Sequence, residues 1–263
     1  MNVTELRQKL EELYRRYNQP QYISPDPLQF VVAQRDPRDC EVVGLVAASL
    51  AFGSVVQINR SVASVLEVLA EPRRCVLEMP RRDLARVFGR FRHRYVDGRN
   101  LIDLLLGIRH VLERYGTLEA CFLDGLRGED ETVLPALDKF VARLREGYNG
   151  HTNYLLASPC DGSACKRMHL FLRWMVRRDS VDPGPWRGVP PAKLVVPLDT
   201  HMHRVALRLG LTRRKQPNGA TAIEITRAFR RIVPEDPVKY DFALTRPGIR
   251  KELVDDPFWG SVW

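Results

Sequence analysis

Residues 162–178, GSACKRMHLFLRWMVRR, and residues 195–210, VVPLDTHMHRVALRLG, decide how this chain reads. In the second stretch Met202, Val205, Ala206 and Leu209 recur at helical spacing; Asp199 precedes them, after Pro197, and Gly210 follows the last. That pattern predicts a short amphipathic helix with Asp199 at its N-cap and Gly210 just past its end. In the first stretch Met168, Phe171, Leu172, Met175 and Val176 form one apolar stripe, and His169, Arg173 and Arg177 fall on another face at spacings of four. Lys166 opens this helix.

Each opening residue admits two readings. An N-cap aspartate needs no chemical role, and a lysine at a helix end commonly reaches into solvent. An ammonium group there nevertheless opposes the positive end of the helix dipole, at about 0.3–1 kcal/mol, and the same field favours the neutral amine that a nucleophile requires.

The chain has 263 residues, 44% hydrophobic and 28% charged, which is enough for one large domain or two lobes with an ample core. No apolar run approaches the ~20 residues that span a bilayer, and the first residues are charged rather than signal-like. The expectation is a cytoplasmic protein without membrane contact. Five cysteines (Cys40, Cys75, Cys121, Cys160, Cys165) contain no CxxC pair and suggest neither a disulfide framework nor a zinc site. We expect no metal, no cofactor and a monomer.

A formal charge of +9 points to an anionic partner. Residues 166–178 hold Lys166, Arg167, Arg173, Arg177 and Arg178 before any acid, and Arg213, Arg214 and Lys215 lie beyond the second helix. Two basic runs beside one candidate site favour nucleic acid over a merely solvated face.

Helical patterning extends to residues 2–17, with Asn2 and Glu5 as a capping pair, and to 40–52, an almost uncharged run ending at Gly53. It continues over 55–69, near 83–91, and over 101–115, 134–144, 220–232 and 236–244. Strand-like character is confined to 194–196, so the chain reads as all-α. Tyr95 and Arg94 sit in a loop and face either solvent or a pocket; residues 154–157 read as the first arm of a hairpin. Phe258, Trp259 and Trp263 are expected to close the core.

With these residues in view, the pair Lys166 and Asp199 resembles the active-site pair of the helix-hairpin-helix DNA glycosylase superfamily, which includes endonuclease III and the 8-oxoguanine glycosylases. There a hairpin of form GxGxK ends in the nucleophilic lysine, and a later VDxHV or PVDxHM segment supplies an aspartate at a helix start. GSACK at 162–166 matches loosely, with Ala164 and Cys165 replacing the second glycine and its neighbour; VPLDTHMHRVALRLGL at 196–211 matches closely. Here 33 residues (199 − 166) separate the pair, about twice the usual spacing, and DSVDPGPWRGVPPAK at 179–193 reads as a Pro/Gly-rich insertion. The resemblance is strongest to a bacterial branch of the superfamily and extends through 36–61 and 236–249. No cysteine follows Cys165, so the iron–sulfur loop of endonuclease III relatives is missing.

The resemblance implies one two-lobed helical unit over 1–263 with its hairpin and catalytic core at about 150–212. It implies a repair enzyme acting on damaged duplex DNA, with an oxidised purine as one substrate: a glycosylase with AP lyase activity through a lysine Schiff base. Lys166 and Asp199 would be catalytic. Gly162, Ser163, Arg167, His201, Arg204 and Arg208 would contact DNA, and Trp174 and Trp186 are candidates for stacking on an extruded base, with packing in the core or a loop as an equal reading of each. The junction AFGSVVQIN at 51–59 stands where the family fills the gap left by a flipped nucleotide, with Ser54, Gln57 and Asn59 as candidates; a plain helix–helix turn is the other reading.

Two alternatives remain open. One is a non-catalytic helix-hairpin-helix module that binds nucleic acid, the insertion holding the two residues apart. The other is a metal-dependent amidohydrolase, because LDTHMH also resembles a strand-end DxHxH motif with His201 and His203 as ligands. Only 60 residues (263 − 203) follow His203, too few for the rest of a (βα)₈ barrel.

Overall fold

A computed structural model describes residues 2–148 and 153–250; Phe258, Trp259 and Trp263 fall outside them. The described chain is all-α. Its helices are α1 Val3–Tyr17, α2 Leu28–Val32, α3 Pro37–Ser49, α4 Val55–Val68, α5 Pro72–Glu78, α6 Arg81–Phe88, α7 Gly98–Tyr115, α8 Leu118–Gly125, α9 Leu134–Glu146, α10 Lys166–Val176, α11 Thr200–Arg208, α12 Gly219–Arg230 and α13 Asp241–Ile249. Strands β1 Arg92–His93 and β2 Val96–Asp97 form a two-residue antiparallel pair. No described helix is long and apolar enough to cross a membrane.

Short polar side chains set the helix starts. Asn2 Oδ1 accepts from Glu5 N at 2.8 Å, and Asp97 and Asn100 cap each other's backbone at the start of α7. The second stretch of the opening pair closes as its spacing predicts: Gly210 takes φ +71°, its N–H donates to Leu207 O, and Leu211 N donates to Ala206 O, which completes a Schellman end to α11. Residues 194–196 are not a strand. They are buried extended chain without a strand partner, and Val196 N donates to Thr226 Oγ1 at 3.1 Å. α13 begins at Asp241 rather than 236, since Lys239 N and Asp241 N close tight turns onto Asp236 O and Val238 O first.

The core is centred on α3 and α10, which pack against each other. α3 is buried from Cys40 to Ser49, and Gly44 lies at the crossing, where a Cβ would stand 2.7 Å from Met175 Cε. α10 is buried along its whole length from Met168 to Val176. This corrects the two-faced helix expected from the stripe: His169, Arg173 and Arg177 are interior.

The two arginines reach the interior because acids meet them there. Arg173 Nε and Nη2 donate to Asp182 Oδ1 at 3.1 and 2.9 Å, and Nη1 to Asp241 Oδ2 at 2.6 Å. Arg177 donates to Asp182 Oδ2, to Asp236 Oδ2 at 2.8 Å, and pairs with Asp179 Oδ2 at 2.9 Å. Asp182 thus joins both cations from the segment expected to be an insertion. That segment is a packed strap. Gly184 N and Trp186 N donate to Trp174 O and Met175 O at the end of α10, and Trp186 Nε1 donates to the buried Glu41 Oε1 at 2.6 Å. Lys193 Nζ donates to the carbonyls of Arg127, Gly128 and Asp130 at 2.7–2.9 Å.

Two stability experiments follow. Asp182→Ala removes the acid that both buried guanidinium groups share, leaving Arg173 only Asp241 and Arg177 only Asp236 and Asp179, and is expected to cost about 3–5 kcal/mol in urea unfolding; a loss below about 1 kcal/mol would contradict the role given to the cluster. His169 is fully buried, and burial depresses its ring to about 3. Below an unfolded value near 6.5 the unfolded chain binds a proton that the native ring refuses, so stability falls as pH drops from 6.5 toward 3, by about 1.4 kcal/mol per pH unit. His169→Phe should remove that slope between pH 6 and 4, and an unchanged slope would place the ring in solvent.

Candidate active site

The strap brings the chain back so that the mouths of α10 and α11 meet. Pro159–Asp161 forms a 3-10 turn, Gly162 takes φ +70°, Ser163 Oγ accepts from Cys165 N at 3.1 Å, and Cys165 takes φ +44° immediately before Lys166. A positive φ at a non-glycine residue is strained, and here it turns the chain sharply into α10. Gly219 N, at the start of α12, donates to Gly162 O at 3.3 Å and anchors this hairpin from behind.

Asp199 is the N-cap expected of it, and the two carboxylate oxygens divide their work. Oδ1 accepts from His201 N at 2.9 Å and Met202 N at 2.8 Å. Oδ2 faces Lys166 Nζ at 3.3 Å. The lysine and aspartate side chains are 35% and 23% exposed, so the pair is sheltered but reachable.

The pair lies in a cleft of about 780 Å³. One wall is the α3–α4 junction, with Phe52, Gly53 and Ser54; another is the hairpin from Gly162 to Arg167; the third is α13, with Asp241, Thr245 and Gly248. α13 approaches closely because Gly248 lacks a side chain: a Cβ would stand 2.7 Å from His201 Nδ1.

Of the residues singled out in the sequence, Lys166, Asp199, Gly162, Ser163, Arg167, His201 and Ser54 all line this cleft. Arg204 and Arg208 are exposed further along α11. Arg167 has a packing role: Nη1 donates to Ser49 O at 2.9 Å, Nη2 donates to Tyr154 O, and the guanidinium lies 5.0 Å from the Phe52 ring centre. Ser54 caps α4 by accepting from Gln57 N, Gln57 itself is exposed, and Asn59 Nδ2 donates to Pro25 O at 2.7 Å. Tyr95 is 62% exposed and stacks on Phe52 at 5.2 Å.

Two expectations and one alternative reading are corrected. Trp174 is fully buried and Trp186 is 3% exposed and held by Glu41, so both belong to the core and neither lines the cleft. Within the first basic run Arg173 and Arg177 offer no outward surface, because they are spent on the buried acids, while Arg178 is exposed. The DTHMH segment is helical rather than the end of a strand, and His203 Nε2 lies 2.8 Å from Arg214 O on a buried face while His201 faces the cleft. That geometry cannot make the two histidines neighbouring ligands, and no described group of His, Cys, Asp and Glu is arranged to hold a metal ion.

Sequence reasoning missed the floor of the cleft. Asp26 takes Arg246 Nη2 at 2.6 Å on Oδ2 and Leu28 N at 3.0 Å on Oδ1, and Asp241 takes Arg173. Their partners are 220 and 68 residues away, so no local pattern could disclose them.

No curated protein and no solved structure matches the chain. A family model described as "Protein of unknown function (DUF2400)" matches residues 26–250, a span that contains the hairpin, the strap and all three walls of the cleft. The chain belongs to that family.

Proposed function

We propose that the chain is a DNA repair glycosylase with AP lyase activity. The observation that carries this reading is the meeting of Lys166 Nζ and Asp199 Oδ2 at 3.3 Å in an open cleft, each placed at a helix mouth. A non-catalytic reading required the strap to hold the two apart; the strap instead packs tightly and returns the chain to the same place. The pairing of a hairpin with a capped helix supports the superfamily likeness drawn from the sequence.

In this mechanism a nucleotide leaves the duplex stack and enters the cleft, at a cost of a few kcal/mol. Asp199 Oδ2 takes a proton from the Lys166 ammonium. The freed amine attacks C1′ of the deoxyribose, the N-glycosidic bond breaks, and its electron pair leaves with the base, which then gains a proton. The lysine nitrogen gives up a proton, the C1′–O4′ bond breaks and O4′ takes up a proton, leaving an open-chain iminium ion that acidifies C2′–H; loss of that proton expels the 3′-phosphate, and water then releases the sugar fragment and restores the lysine. Asp199 also stabilises the cationic sugar while Oδ1 keeps the helix capped. Backbone N–H groups of the hairpin and the exposed Arg204 and Arg208 serve the phosphates.

Strand-cleavage assays on duplexes carrying single damaged bases test this. Lys166→Ala should abolish cleavage with an unchanged circular dichroism spectrum. Asp199→Asn, which retains capping ability, should slow turnover by about 10²–10⁴-fold. Full activity in either variant would remove that residue from the mechanism.

A further inference from the structure

Asp241 opens α13 at the floor of the same cleft and is 4% exposed. Three carboxylates line this cleft, and two are saturated. Asp26 receives Arg246 and Leu28 N, and Asp199 receives Lys166 and its helix N–H groups. Asp241 is different. Its Oδ2 receives Arg173 Nη1 at 2.6 Å, while its Oδ1 is buried with no hydrogen-bond partner.

A buried carboxylate oxygen without a donor is costly, and on a residue that lines the cleft it marks where a small shift lets a ligand supply the missing group. Burial pushes this carboxyl above the usual carboxylate range, and Asp199 and Asp182 add to that effect against the pull of Arg173. A donor arriving at Oδ1 would relieve the same penalty. A metal ion does not suit the position, because Arg173 and Arg246 line the same floor and would repel it. A neutral N–H group does suit it.

Resting on the glycosylase reading, we infer that Asp241 Oδ1 is the group that reads the extruded base, and that the substrate is a heterocycle presenting an amide or amine N–H to it. Lys166 and Asp199 act on the sugar; Asp241 selects the base. Because a site built around an unfilled acceptor discriminates strongly against ligands lacking the donor, this residue sets specificity rather than rate on the sugar.

Asp241→Asn tests the assignment, since it keeps the shape and replaces one acceptor oxygen by a donor. Two reactions are compared in each protein: base release from a panel of damaged duplexes, and cleavage of a preformed abasic site, which has no base to read. The expected result is a fall in kcat/KM for base release that is roughly 10–100-fold larger than whatever loss the same variant shows in abasic cleavage. Equal losses in both reactions, or undiminished base release, would overturn the assignment. If the wild-type protein cleaves neither substrate, the catalytic reading has failed by itself. Calorimetric titration with free purine and pyrimidine bases then decides the matter: binding to wild type that weakens in Asp241→Asn sustains the site, and no binding to wild type overturns it.

Discussion

The ion cluster of Arg173, Arg177 and Asp182 is what holds this molecule's two halves of the cleft in register. Arg173 belongs to α10, the helix that Lys166 opens, Arg177 caps its far end, and Asp182 belongs to the strap that leads to Asp199. The same arginines reach Asp241 at the head of α13 and Asp236 just before it. One cluster therefore fixes the helix that bears the amine, the chain that delivers the carboxylate and the helix that floors the cleft. Buried charges of this kind contribute little net stability when paired, but removing one partner is severe, which makes the arrangement specific rather than strong.

From that constraint the chemistry of the mouths follows. Asp199 uses one oxygen to cap α11 and leaves the other for Lys166, so the cap itself aims the carboxylate. Lys166 is delivered by a hairpin strained at Cys165, with its back tied to α12 through Gly162 and Gly219. Neither residue hangs from a free loop.

What the sequence discloses and what it hides divide along physical lines. α1 and α11 were legible because an amphipathic stripe, a polar cap and, for α11, a terminal glycine agree over a few residues. α10 was half legible. Its apolar stripe predicts a helix, but its arginines resemble a surface face, since the acids that neutralise them arrive from the strap and from α13 and leave no local periodicity. Trp174 and Trp186 had equal claims to core and cleft on residue type alone; Glu41, 145 residues from Trp186, settles that indole in the core. The Lys166–Asp199 pair was legible as a motif, whereas its closure depended on the fold of residues 179–193, whose prolines and glycines suggest a loose loop. The Asp26, Arg246 and Asp241 floor carries no sequence signal short of the tertiary structure.

The account rests on an amine and a carboxylate brought together to act on a sugar. Its most direct test is borohydride reduction of the protein mixed with a duplex containing an abasic site, followed by peptide mapping of the covalent adduct by mass spectrometry. The account expects the sugar remnant on Lys166 alone. A remnant on another amine, or no adduct under conditions where the duplex binds, would contradict it.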